Sequence, residues 1–195
     1  MNSIDIVKGS GVPVRCNDID TDRIIPARFL KCVTFEGLGA NAFADDIAGL
    51  AAQGKVHPFR DPAYKNCSIL VSNQNFGCGS SREHAAWAIA GYGFRVVISS
   101  CFADIHKNNE LNNFVLPVVV SEAFLAELFD SIAANPKMEV EVDLPNQTVT
   151  NKATGRSEHF DINGYKKHCL MHGLDDIDFL VQNKEKTEEW EQANK

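Results

Sequence analysis

From residue 67 to residue 134 the chain alternates short apolar runs with stretches whose apolar side chains recur every three to four positions. No other feature constrains the fold so strongly. Cys67–Ser72, Phe94–Ser99 and Val115–Val120 read as buried strands. Glu83–Tyr92 and Phe102–Asn112 read as helices. So does the stretch from Ser121, where Leu125, Leu128, Phe129 and Ile132 share a face and Asn135-Pro136 ends the run. Strands joined by helices of this length pair in parallel through right-handed crossovers, so the alternation predicts an α/β fold.

The flanks read differently. Ile4, Ile6, Val12 and Val14 form a strand-like opening, and the Asx- and Thr-rich run Asn17–Pro26 reads as a turn or loop. Residues 31–41 show no period and read as a mobile loop, followed by a short helix carrying Phe43, Ile47, Leu50 and Ala51. Met138, Val140, Val142 and Leu144 alternate with Glu139, Glu141 and Asp143, as a half-exposed strand does. With Thr148–Thr150 and Glu158–Ile162, separated by the turns Pro145-Asn146 and Thr154-Gly155, it predicts an antiparallel meander. Helical patterns over Gly164–His172 and from Asp175 onward lead to a charged, solvated tail over residues 184–195. No linker divides residues 1–195, so the expectation is a single α/β domain whose sheet is mixed and flanked by helices.

Composition narrows the function. The 195 residues are 44% hydrophobic, enough for a core without staples. Nineteen basic against 26 acidic side chains give a net charge of −7, and no basic cluster exceeds Lys166-Lys167, which argues against a nucleic-acid partner. The longest apolar run, Phe114–Val120, has seven residues, well short of the roughly 20 a membrane helix needs, so no membrane role is expected. The first eight residues have no apolar signal region, which points to a reducing, cytoplasmic setting. There the six cysteines would be metal ligands, catalytic or simply buried. The nearest pair in sequence, Cys67 and Cys78, is separated by ten residues, so C-x2-C spacing is absent and no metal or cluster is expected on this chain.

Asn73-Gln-Asn-Phe-Gly-Cys-Gly-Ser-Ser-Arg-Glu-His84 lies between a buried strand and a helix, where α/β proteins bind ligands. Gly77 and Gly79 allow a close approach of the backbone, and a helix beginning at Ser80 or Ser81 would offer free N–H groups and its positive end to an anion. A dinucleotide fingerprint fails because Arg82 occupies its last glycine position, and no Gly-Lys-Ser/Thr follows to make a P-loop. What remains is a pocket of two hydroxyls, backbone N–H groups and a guanidinium suited to a carboxylate. The competing reading is structural: Ser80-x-x-Glu83 is also a capping box. Capping accounts for Ser80 and Glu83, but not for the glycines, Ser81 or Arg82. A helix dipole supplies at most about 2 kcal/mol, about 1.5 pKa units, too little to ionise a serine without further help from Arg82 and oriented N–H groups.

The string Asn75–Ala88, followed by Tyr92–Ile98 and Phe102-Ala-Asp-Ile105, resembles the small subunit of 3-isopropylmalate dehydratase, in the aconitase superfamily. Asp20-Thr-Asp-Arg-Ile-Ile-Pro26, Phe29-Leu30, Leu116-Pro117 and His168–Asp175 match the same family in the same order, so the likeness spans nearly the whole chain. It implies a swivelling β/β/α domain like the last domain of aconitase, and a large-subunit partner whose own cysteines hold a 4Fe-4S cluster. The implied reaction converts 2-isopropylmalate to 3-isopropylmalate through 2-isopropylmaleate, in leucine biosynthesis. Position by position, Ser80 matches the serine that removes the proton beside a carboxylate. Ser81 and Arg82 match carboxylate-binding residues, with Gly77 and Gly79 shaping the loop. Asp22 matches a supporting acid, and Asp20, Thr21, Glu83 and His84 support with it; His84 would orient Arg82 or cap local backbone.

The chain departs from the family pattern in several places. Similar bacterial subunits often carry a basic residue near Val33-Thr34, whereas Phe35-Glu36 follow here, in the loop expected to sense the substrate side chain. The malate derivative is therefore open, with homoaconitate or 2-methylmalate and citraconate as alternatives; a non-catalytic anion-binding module is the reading from another class. Ser99-Ser100-Cys101 stands where Ala-Pro-Ser is common, and His106-Lys107 replaces a more apolar pair. His106 reads as a surface or core-edge residue, and Cys78 as a buried free thiol.

Overall fold

A single residue, Ser10, separates two strands that join different sheets. In the computed structural model, which describes residues 3–31 and 37–194, β1 (Ile6–Gly9) pairs antiparallel with a distant strand near residue 140, and β2 (Gly11–Val14) pairs in parallel with β3 (Ile69–Ser72). β4 (Val96–Ser99) and β5 (Leu116–Val119) complete a four-stranded parallel sheet in the order β2-β3-β4-β5. Pro13 and Pro117 fall in its two edge strands, where a missing N–H costs least. β6 (Val140–Asp143), β7 (Thr148–Asn151) and β8 (Ser157–His159) form an antiparallel sheet with β1, in the order β1-β6-β7-β8. The mixture of parallel and antiparallel pairing read from the sequence is thus divided between two sheets.

Alternation along the parallel strands feeds two cores. Ile69, Val71, Val96, Ile98, Leu116 and Val118 point to one face, where they meet Phe124, Leu128 and Ile132 and the inner face of the antiparallel sheet, Val140, Val142, Leu144 and Val149. Val12, Val14, Leu70 and Val97 point to the other, against Ala85, Ala88 and Ile89 and the aromatic side chains of Phe43, Phe59, Phe76 and Phe94. A sheet buried on both faces needs strands that are apolar throughout, and β3 and β4 have no exposed position.

The helices follow from caps and stripes. α1 (Thr21–Ile24) is one turn, inside the run read as a loop, with Asp20 as its N-cap accepting from Arg23 N at 2.7 Å. α2 (Ala44–Ala52), α3 (His84–Tyr92), α4 (Asp104–Asn112) and α5 (Glu122–Ala134) match the expected helices in body. Ser121 caps α5 by accepting from Phe124 N at 3.1 Å. α6 (Gly164–His172) and α7 (Asp176–Gln182) lead into α8 (Lys184–Ala193), so the tail read as merely solvated is helical although it buries no side chain. Lys184 and Glu188, 3.6 Å apart at i, i+4, support it. Of residues 31–41, Gly39–Asn41 form a 3-10 turn against α3, while Val33–Glu36, the expected specificity loop, lie outside the described residues. No helix among the described residues is long and apolar enough to cross a membrane.

Candidate active site

The loop Asn73–Glu83 leaves the carboxyl end of β3 and is stitched to the segments that leave β2 and β4. From the β2 side, Ile19 O accepts from Gly77 N at 2.7 Å and Cys78 N at 3.2 Å, and Thr21 N donates to Cys78 O at 2.9 Å. On the β4 side, Phe76 N donates to Cys101 O at 3.1 Å and Ala103 N donates to Phe76 O at 3.0 Å. Three consecutive strand ends therefore fix one loop. That is the edge at which open α/β sheets hold ligands.

Both glycines of the loop are needed. Gly77 has φ 76°, and a Cβ there would collide with the ring of His106. Gly79 has φ 89° and passes over the Cβ of Asp20. Thr21, almost fully buried, clamps the next residue: its hydroxyl donates to Ser80 O at 3.1 Å and accepts from Ser80 N at 3.2 Å.

That clamp displaces the capping box. The amide and carbonyl of Ser80 are held by Thr21, so the helix does not begin at Ser80 or Ser81 but at His84. Glu83 is the N-cap by position only. Its carboxylate turns away and accepts from Asn113 Nδ2 at 3.0 Å. The first-turn N–H groups of α3 thus have no side-chain cap, and the positive helix end lies next to the loop. Arg82 precedes the helix rather than opposing its dipole from within the first turn.

The structure brings most of the expected residues together. Ser80 is partly exposed and Ser81 is exposed, and neither hydroxyl makes a hydrogen bond among the described residues. Arg82 pairs through Nη1 with Asp22 Oδ1, their side chains 38% and 58% exposed, so the guanidinium is held but not buried. Asp20 serves α1 as its cap. No hydrogen bond joins His84 to Arg82 or to backbone among the described residues; its ring packs 4.5 Å from Trp87. On α1, Arg23 is fixed by Asp46 at 2.7 Å and by Cys16 Sγ at 3.1 Å, partners that raise its pKa further.

Two expectations change. Cys78 is half-buried rather than buried; its thiol is pushed up by burial and then by Asp20 and Asp18, so it stays protonated within the loop. His106 is no surface or core-edge residue: it is buried under Gly77, with its ring 5.4 Å from that of Phe76. Its partner Glu110 was not singled out by the sequence, although a His and a Glu at i, i+4 beside Leu111 on one helix were the available signal. Cys16, Cys67, Cys78, Cys101 and Cys169 are free thiols, and no group of three His, Cys, Asp or Glu side chains among the described residues could hold a metal.

The carboxyl edge of the parallel sheet thus presents N–H groups without a side-chain cap, two hydroxyls with no hydrogen bond among the described residues and a half-exposed arginine, in a mixed α/β domain of two sheets with flanking helices. Comparison with known proteins narrows the class. The aconitase C-terminal domain family matches residues 1–123, and the LeuD family, described as LeuD_N, matches residues 126–164. The 3-isopropylmalate dehydratase small subunit of Azobacteroides pseudotrichonymphae is 55% identical over 183 residues, 92% of each chain. The protein of the same name from Cytophaga hutchinsonii is 50% identical over 100% of this chain and 97% of its own. The crystal structure of 3-isopropylmalate dehydratase (leuD) from Methanocaldococcus jannaschii superposes with a TM-score of 0.71 at 25% identity, over 94% of this chain and 98% of that one. The chain belongs to the 3-isopropylmalate dehydratase small-subunit family of the aconitase superfamily.

Proposed function

We propose that this chain is the small subunit of a cytoplasmic hydro-lyase that interconverts 2-isopropylmalate and 3-isopropylmalate through 2-isopropylmaleate in leucine biosynthesis, and that it acts only when joined to its large subunit. The near full-length identity to relatives bearing that name carries this reading. The loop at the sheet edge supports it, because it sets two hydroxyls with no hydrogen bond among the described residues beside a half-exposed arginine and helix N–H groups without a side-chain cap. A 4Fe-4S cluster held by the large subunit would supply the Lewis-acid activation of the departing hydroxyl. The described residues of this chain do not fit as its ligands.

On this chain, Ser80 takes the C–H proton beside a substrate carboxylate. The anionic charge that builds on that carboxylate is met by Arg82, Ser81 and the free N–H groups at the start of α3. Substrate must share Arg82 with Asp22 or displace it, and the exposure of that pair keeps the exchange inexpensive. Asp20, Thr21 and Asp22 shape the wall, while Glu83 and His84 anchor the start of α3 through Asn113 and Trp87. Residues 33–36 read the substrate side chain, and the whole chain moves as one swivelling domain against its partner.

The discriminating experiment assays the complex with 2-isopropylmalate, homoaconitate and 2-methylmalate, following the alkene by ultraviolet absorbance. Preference for 2-isopropylmalate supports the reading; preference for either of the others replaces it.

A further inference from the structure

Directly under the site loop lies a polar pair that the proposed chemistry does not use. His106 and Glu110, one turn apart on α4, have side chains only 1% and 0% exposed, with Nε2 3.1 Å from Oε1. That is ion-pair distance without hydrogen-bond alignment, and His106 Nδ1 and Glu110 Oε2 also lack hydrogen-bond partners among the described residues. Burying such a pair is costly compared with apolar side chains of the same volume, so its position calls for a reason.

The contacts supply one. A Cβ on Gly77 would meet Cδ2 and Cγ of His106 first, which means that the carbon edge of the imidazole faces the Gly77 backbone. The nitrogen at the other end of that edge, Nε2, is the atom that reaches Glu110. On its remaining side the ring stands edge-on to Phe76, the residue before Gly77, at an interplanar angle of 61°. The ring is thus the floor on which Phe76 and Gly77 rest, three residues before Ser80, and the Glu110 carboxylate abuts its Nε2.

We infer that Glu110 and His106 are positioning residues for the Ser80 loop, acting through the Gly77 backbone rather than on substrate; this rests on the assignment of Ser80 made above. Burial pushes the Glu110 carboxyl above its ordinary range, with His106 and then Lys107 opposing.

The test uses the whole chain, alone and in complex with its large subunit. Glu110→Ala frees the ring: kcat with 2-isopropylmalate is expected to fall roughly ten- to hundredfold with KM nearly unchanged, because Arg82 is held independently by Asp22. In the isolated chain, the Gly77 and Cys78 amides, bonded to Ile19 O, should exchange hydrogen about tenfold faster while those of α5 do not change. Glu110→Gln, which keeps a side chain of the same shape against the ring, should restore both. Should Glu110→Ala not fold, a His106→Leu/Glu110→Leu variant gives an apolar floor without a flat ring edge and should show the same two losses. Normal kcat with protected Gly77 and Cys78 amides in these variants, whatever their melting temperature, would overturn the inference and leave the pair as core packing. An inactive wild-type complex would instead refute the functional reading, and the exchange measurement would still decide the positioning role.

Discussion

The carboxyl edge of the parallel sheet and the rim where the antiparallel sheet meets α5 both carry arginine–carboxylate contacts, and they use them in opposite ways. At the rim, Arg156 bridges Glu127 at 3.2 Å and Glu158 at 2.8 Å, and each carboxylate has further donors. Glu127 accepts from Thr154 Oγ1 at 2.6 Å and Asn151 Nδ2 at 3.1 Å, and Glu158 from the amide and hydroxyl of Ser121 at 2.9 and 2.6 Å. At the sheet edge, Arg82 has one carboxylate partner and open solvent, and the two serine hydroxyls have none among the described residues. Saturated charges weld the strands to a helix. Charges left with one exchangeable partner can take a ligand.

Substitutions at the two places should therefore separate activity from stability, and the largest effect is expected at the sheet edge. Ser80→Ala should lower kcat of the complex by about 10²–10⁴, the usual contribution of a positioned base, while changing unfolding free energy by less than about 0.5 kcal/mol. Steady-state kinetics beside a denaturant titration checks both. Arg82→Ala should lower kcat/KM by roughly ten- to a hundredfold, as loss of a charge-assisted contact worth about 1.5–3 kcal/mol would, mostly through KM. Arg82→Lys should recover only part, because an ammonium cannot form the paired bonds of a guanidinium. Gly77→Ala must move the loop or the His106 ring, and the strain of about 1–3 kcal/mol should appear as a lower melting temperature together with reduced kcat.

The rim should respond the other way. Thr154, Arg156 and Asn151 hold the Glu127 carboxyl below its ordinary range; for Glu158, burial opposes, but Ser121 and Arg156 outweigh it. A carboxyl depressed in the folded state contributes stability above its unfolded pKa of about 4.3, and that contribution is lost as pH falls through the lower folded value. Glu158→Gln should thus destabilise by about 1 kcal/mol at neutral pH, flatten the acid limb of the stability curve below about pH 4.3, and leave kcat unchanged. A loss of activity at neutral pH would erase the contrast between the two regions.

The same contrast explains what could be read from the sequence. Where burial is decided by local periodicity, as in β3, β4, β6 and α5, the elements match the expectation within a few residues. Where a distant partner competes with a local one, the expectation misses. Ser80-x-x-Glu83 has the residue types of a capping box, yet Thr21, 59 positions away, takes the serine backbone and delays the helix. α1 is too short to show a period, and α8 has no buried face to reveal it. His106 and Glu110 are polar residues that composition assigns to the surface and packing assigns to the core. The place of the loop Asn73–Glu83 between a buried strand and a helix was legible, because an apolar run precedes it and a helical spacing follows it.

If this chain supplies one half of a divided active site, as proposed, turnover must need both halves. Purified chain, purified cluster-loaded large subunit and their mixture should be given 2-isopropylmalate and followed by the absorbance of the alkene. Absorbance should change in the mixture alone, and Ser80→Ala should slow that change by about 10²–10⁴. Turnover by this chain without its partner, or undiminished turnover by the Ser80→Ala mixture, would contradict that proposal.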